Sequence, residues 1–208
     1  MNMNWENRIK EALSGDLPGE ISHRKMLPPG RKYSLPEEHQ NSRNSGILLL
    51  IFPEGDEICT CLIRRPSYMK HHAGQIGFPG GQTEEPDTTL LETALREAHE
   101  EIGIDPDHLH ILGSLTPLYI HVSKFMIFPF VAWMDQKPEF AVNIYEVEKL
   151  IIFPLIRHLN ASERKEAEVS SSNGILRVPS FIWEDEVIWG ATAMILVEFL
   201  DLLDGSFL

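Results

Sequence analysis

Two cysteines in 208 residues rule out a disulfide-stapled scaffold or an all-cysteine zinc site. They stand at positions 59 and 61. On a strand that spacing sends both side chains to one face in a geometry unsuited to pairing, so they read as core residues. No apolar run approaches the ~20 residues of a membrane span. The start, Met1-Asn2-Met3-Asn4-Trp5-Glu6, has no signal-like apolar segment, and a cytoplasmic protein without membrane contact is expected. Positive charge is scarce: 18 Lys and Arg stand against 31 Asp and Glu, a net charge of −13. Such a surface repels a phosphate backbone, and no basic patch interleaved with aromatics offsets it, which argues against nucleic acid as a partner. Repeats and a clear linker are also missing. With 43% hydrophobic residues, residues 1–208 are expected to build one domain.

The informative stretch runs from Gly80 to Ile104, where a Pro-Gly-Gly turn leads into Arg96-Glu97-Ala98-His99-Glu100-Glu101-Ile102-Gly103-Ile104. In a helix Glu97, Glu100 and Glu101 stand at i, i+3 and i+4, where like charges repel by roughly a few tenths of a kcal/mol per pair. A Glu-rich helix is often only a solvated face. Here the acids sit beside an apolar stripe of Leu91, Leu95, Ala98 and Ile102, between a glycine turn and the terminating Gly103. Three hard oxygen donors without a thiolate suit Mg²⁺ or Mn²⁺, and Mg²⁺ is usually held by few carboxylates together with substrate phosphates. Glycines at the turn let backbone approach a metal or phosphate closely.

These residues resemble the box of the Nudix hydrolases, G-x5-E-x7-R-E-U-x-E-E-x-G-U with U aliphatic. Arg96-Glu97 and Glu100-Glu101-x-Gly103-Ile104 match position by position, with Ala98 as a small aliphatic. Asp87 stands where the first Glu is usual, and eight residues rather than seven separate it from Arg96. The lengthened box is similar to that of the coenzyme A pyrophosphatase branch, which carries a signature upstream, L-L-T-x-R-[SA]-x3-R-x3-G-x3-F-P-G-G. Leu62, Arg65, Gly74 and Phe78-Pro79-Gly80-Gly81 fall in register. Cys61, Ile63, Pro66 and Lys70 depart; Lys70 keeps the charge of the usual Arg but not its planar fork. Later segments, among them Leu115-Thr116-Pro117, Asn143-x-x-Glu146 and Trp189-Gly190-Ala191-Thr192, echo the branch in order.

The resemblance implies a metal-dependent hydrolase that cleaves the pyrophosphate of coenzyme A or its derivatives, with NADH, ADP-ribose or another nucleoside diphosphate derivative as the alternative. A nucleotide-binding module without turnover is a further alternative, against which the full set of box acids argues. The implied metal ligands are Glu97, Glu100, Glu101 and a backbone carbonyl near Gly81. Glu100 is the implied general base, with Glu146 its distant rival, and Arg96 the residue that orients the glutamates. Arg65, Lys70, Gln75 and Phe78 are expected at the substrate. The chain is compatible with a homodimer.

Periodicity alone gives α/β; the resemblance implies a Nudix-type α/β/α sandwich with a mixed β-sheet, in which residues 81–104 form the box. The local pattern predicts a helix at Trp5 to Leu13 and an irregular arm at Gly15 to Ser45, so that residues 1–45 form an N-terminal extension. Strands are expected at Gly46 to Phe52, Ile58 to Ile63, Leu109 to Leu115 and Ile127 to Trp133, and the box helix from Asp87 to Ile102. Short helical turns are expected at Asn143 to Glu148 and Pro154 to Leu159. A hairpin follows around Ser171-Ser172-Asn173-Gly174, then a core-packing helix from Ala191 to Leu203.

Overall fold

The computed structural model describes residues 4–34, 42–68, 74–160, 163–171 and 174–205. Its spine is β1 (Arg43–Glu54), whose side chains from Ile47 to Phe52 are buried without a break. Alternation along the strand divides them between two cores. Ile47, Leu49 and Ile51 point to one, Leu48, Leu50 and Phe52 to the other, as expected of a central strand covered on both faces.

Around β1 the chain lays β2 (Glu57–Arg64), β3 (Ile76–Gly77), β4 (Gly80–Gln82), β5 (His110–Ser114), β6 (Leu118–Ile120), β7 (Phe125–Trp133) and β8 (Lys149–Pro154) into one eight-stranded sheet. β1 runs parallel to β7, and the other pairings are antiparallel. The sheet is therefore mixed. One edge of β1 is shared: Ser45 to Ile47 pair with β4, Ile51 to Glu54 with β2. The handover between them is bridged by a hydrogen bond from Leu48 N–H to Pro79 O of 2.8 Å.

Helix α3 (Leu90–Ile102) covers the face carrying Leu48 and Leu50. Helix α4 (Gly190–Asp204) covers the other, together with α1 (Trp5–Leu13). The second layer also holds α2 (Gly19–His23), the adjoining 3₁₀ turn Arg24–Met26, and a three-stranded sheet of β9 (Arg164–Ser171), β10 (Gly174–Trp183) and β11 (Glu186–Trp189). The result is helix, mixed sheet, helix.

Several sequence expectations are corrected. The box helix begins at Leu90 rather than Asp87, because Thr89 caps it: its hydroxyl accepts from Glu92 N–H while the Glu92 carboxylate accepts from Thr89 N–H. Its buried face is Thr93, Ala94, Ala98, Glu101 and Ile102; Leu91 and Leu95 are only half-buried. The arm is not wholly irregular, since α2 and its 3₁₀ turn dock on α4. Asn143 to Glu148 makes one turn as expected, and the turn expected from Pro154 to Leu159 is a 3₁₀ turn at Ile156–His158, with Pro154 itself ending strand β8. Strands β3, β4, β6, β8 and β11 escaped because each is short or carries Gly or Pro. Cys59 and Cys61 are both buried on one face of β2.

Among the described residues no helix is long and apolar enough to cross a membrane.

Candidate active site

The site is built where α3 crosses the junction of β1 and β4. Gly80 sits at φ +150°, and a Cβ there would overlap the Gly46 carbonyl and the Ile47 backbone. A Cβ on Gly81 would instead overlap the Glu97 carboxyl group. The two glycines thus have different duties: the first lets two backbones meet, the second admits an acid.

Arg96 organises the outer half. Its Nε and Nη2 each donate to one Asp87 carboxylate oxygen at 3.0 Å, and its Nη1 lies 3.0 Å from Glu97 Oε1 and 3.1 Å from Glu100 Oε2. Such a two-point fork fixes the guanidinium plane. Asp87 also accepts from Thr93 Oγ1 at 3.0 Å and Glu84 N–H at 2.9 Å. The Arg96 hydrogen bonds, above all, hold its carboxyl well below the usual carboxylate range. Sequence reasoning saw Asp87 only as a deviation in the box; an acid nine positions before the arginine was the available signal.

Glu101 anchors the inner half. It is 1% exposed, its Oε2 accepts from Gly80 N–H at 2.9 Å, and its Oε1 lies 3.3 Å from Arg65 Nη2, which also donates to Gly80 O at 2.7 Å. Burial pushes its carboxyl up to about 8, against the pull of Arg65 and the Gly80 N–H. Glu97 is likewise raised, by burial first, with Arg96 opposing. Glu100 is exposed and stays with Arg96.

The box glutamates are each held by an arginine, Glu97 and Glu100 by Arg96 and Glu101 by Arg65. Among the described residues, the set of His, Asp and Glu whose ligand atoms already lie within 4.8 Å of one another is elsewhere, Glu6, His110 and Asp135 by the β5 edge. There Glu6 already pairs with His110 Nδ1 at 2.8 Å and Asp135 accepts from Trp133 Nε1. The box acids nevertheless suit a divalent cation: they offer hard oxygen donors, and the two whose charge burial disfavours are those a bound cation would relieve.

Two loops frame this centre. Arg65 N–H donates to Gln75 O and Gly74 N–H to Arg65 O, both at 3.0 Å, closing the neck of the segment between them. Lys70 falls in that segment, outside the described residues. Gln75 is exposed at the neck, whereas Phe78 is 4% exposed and packs in the core with α4. The second loop is zipped to the end of α3: Ala141 N–H donates to Ile102 O and Asn143 N–H to Glu101 O. Asn143 then caps its own turn, accepting from Tyr145 N–H at Oδ1 and from Glu146 and Val147 N–H at its carbonyl. Glu146 is close enough to add to the electrostatic load on Glu101.

Residues 42–153 match the NUDIX domain family. The chain is 36% identical over 156 residues to an uncharacterized Nudix hydrolase NudL of Yersinia enterocolitica, covering 75% of this chain and 79% of that protein. It is 35% identical over 171 residues to the uncharacterized NudL of Pectobacterium atrosepticum, covering 82% and 85%. Among solved structures, the Nudix domain of Shewanella oneidensis NrtR in complex with ADP-ribose aligns at 19% identity over 61% of this chain and 81% of that one, with a TM-score of 0.47. The M. smegmatis Nudix hydrolase RenU aligns at 18% identity over 62% and 83%, also with a TM-score of 0.47.

Proposed function

Because the chain belongs to the Nudix family of hydrolases, we propose that it hydrolyses the pyrophosphate of coenzyme A or its derivatives with Mg²⁺ or Mn²⁺, giving 3′-phosphoadenosine 5′-phosphate and 4′-phosphopantetheine. The observation that carries this reading is the contact between the upstream signature and the box: Arg65 bonds the Gly80 carbonyl and faces the buried Glu101 carboxylate. The segment that resembles the coenzyme A branch is thereby attached to the acids expected to do the chemistry.

Glu97, Glu101, Glu100 and the Gly81 carbonyl would hold the cation, which when bound neutralises phosphate oxygens and lowers the pKa of a water. Glu100, the exposed box acid, would take the proton of the attacking water; the water oxygen bonds one phosphorus and the bridging P–O bond breaks, leaving two phosphate monoesters. Arg96 keeps Glu97 and Glu100 in place through its fork on Asp87. Arg65, Lys70 and Gln75 would meet the substrate's phosphates at the neck of the signature segment, with Phe78 supporting that neck from the core.

Pro66 and Lys70, where the branch pattern has Ser or Ala and Arg, favour a second reading in which NADH or ADP-ribose is the substrate. A panel of coenzyme A, acetyl-coenzyme A, dephospho-coenzyme A, NADH and ADP-ribose, assayed with each metal in wild type and Glu100→Gln, decides between them. Preference for coenzyme A over dephospho-coenzyme A, lost in the variant, is expected. Faster turnover of NADH or ADP-ribose would overturn the coenzyme A assignment.

A further inference from the structure

Of the eight large apolar side chains exposed among the described residues, three lie on the loops beside the site: Tyr68 at 70% exposure, Ile144 at 74% and Tyr145 at 76%. The other two tyrosines, Tyr33 and Tyr119, are half-buried. Tyr68 and Tyr145 come from the two loops that frame Glu101, and they meet: Tyr68 OH donates to the Tyr145 carbonyl at 2.6 Å. A second bond ties the same loops, from Ser67 N–H to Glu148 Oε2 at 3.2 Å. The Tyr68 ring is therefore held at its far end while its faces remain open.

Its place in the site follows from chain reach. Tyr68 is three residues beyond Arg65, whose guanidinium touches the Glu101 carboxylate, and Tyr145 is two residues beyond Asn143, whose N–H bonds the Glu101 carbonyl. At ~3.6 Å per residue at most, both backbones lie within roughly 11 Å of those anchors. A nucleotide's base is one ribose away from its diphosphate, a span that fits this reach.

We infer that Tyr68 and Tyr145, with Ile144 beside them, form an aromatic platform that takes the base of the nucleotide substrate. The inference rests on the reading proposed above, in which the diphosphate lies at the box acids. Base stacking suits this chain. Its net charge of −13 offers little long-range attraction to an anionic nucleotide, whereas a ring binds the uncharged base face without regard to charge. The Tyr68 ring, tied by its hydroxyl to the Tyr145 backbone carbonyl, also presents its faces at a lower ordering cost than a lone exposed side chain.

The test is calorimetric binding of ADP and of inorganic pyrophosphate, each with Mg²⁺, to wild type, Tyr68→Ala, Tyr145→Ala and Tyr145→Phe, alongside hydrolysis of the substrate panel. Each alanine is expected to weaken ADP about tenfold or more while leaving pyrophosphate unchanged, and Tyr145→Phe, which keeps the ring and the accepting carbonyl, is expected to bind ADP as wild type does. Unchanged ADP affinity in both alanine variants would overturn the platform even if the enzyme is active. So would a fall in assembly mass on sedimentation without a change in ADP affinity, which would make the tyrosines a contact between copies. Loss of ADP affinity in the alanine variants of a protein that cleaves nothing on the panel would overturn the hydrolase reading and keep the platform.

Discussion

Asp87 and Arg96 meet through two parallel hydrogen bonds of 3.0 Å, one from Nε and one from Nη2. Arg96 reaches Glu97 and Glu100 with its remaining Nη1, so the aspartate sets the plane from which the arginine addresses both acids. Asp87→Ala should lower kcat by about 10- to 100-fold, as loss of a supporting partner around a metal site generally does. It should also cost about 1–3 kcal/mol of stability by leaving the fork unpaired. Steady-state kinetics and urea unfolding on the same preparation check both, and wild-type kcat in the variant would show that Arg96 addresses Glu97 and Glu100 without the Asp87 fork.

The two glycines of the turn should separate fold from chemistry. Gly80→Ala puts a Cβ against the Gly46 carbonyl at a φ of +150°, and backbone cannot step aside; a loss of several kcal/mol or failure to fold is expected. Gly81→Ala meets first the movable end of Glu97. That variant should melt within a few degrees of wild type yet lose turnover at least about tenfold. Equal loss of stability in both variants would contradict this division.

Metal binding can be read without turnover. If the box acids hold Mn²⁺, saturating the protein at about 100 times the dissociation constant stabilises it by roughly 2.7 kcal/mol. The accompanying rise in melting temperature should vanish in Glu97→Gln/Glu101→Gln. An undiminished rise in that variant, lost instead in His110→Ala, would move the ion to the Glu6, His110 and Asp135 group.

Asp201 offers a pH prediction remote from the box. Burial pushes its carboxyl up, but Lys25 at 2.8 Å, the Ser22 hydroxyl and Arg164 at 2.6 Å outweigh burial and hold it below the usual range. A carboxyl lowered by folding stabilises the fold above its unfolded pKa of about 3.9, and that contribution fades as pH falls through the folded value. Asp201→Asn should cost about 1–3 kcal/mol at neutral pH, the cost of removing a buried, charged hydrogen-bond acceptor from partly exposed partners, and should show a shallower stability loss than wild type below about pH 4. Parallel curves for the two proteins would place the acid sensitivity elsewhere.

Much of this is legible in the sequence. The helix at Trp5 to Leu13 has the expected bounds, because a capping Asn and a clean apolar period leave little for tertiary packing to override. The core role of Cys59 and Cys61 follows from strand alternation alone. The box helix was legible from Arg96, Glu97, Glu100 and Glu101, but its start was not: Asp87 looked like its first turn, while Thr89 and Glu92 close the capping box. Sequence could not show that Asp87, one position further from Arg96 and one methylene shorter than the usual Glu, would still make the fork. Nor could it show what Glu198 does. In an apolar helix it read as a polar interruption, whereas it is a buried acceptor for Gly19 N–H at 3.2 Å, Thr116 N–H at 3.1 Å and His23 at 2.8 Å. Its partners lie as much as 179 positions away, beyond the reach of any local pattern.

Those partners also order events in time. During synthesis the arm that holds Gly19 and His23 emerges long before α4, and the bond between His23 and Glu198 closes a span of 175 residues. Until α4 leaves the ribosome, the buried face of the arm has no acid to meet, and the core face of the sheet that α4 covers stays open to water. Folding is gated by the arrival of one helix, and the nascent chain is most exposed to proteases and to aggregation in the interval before it arrives.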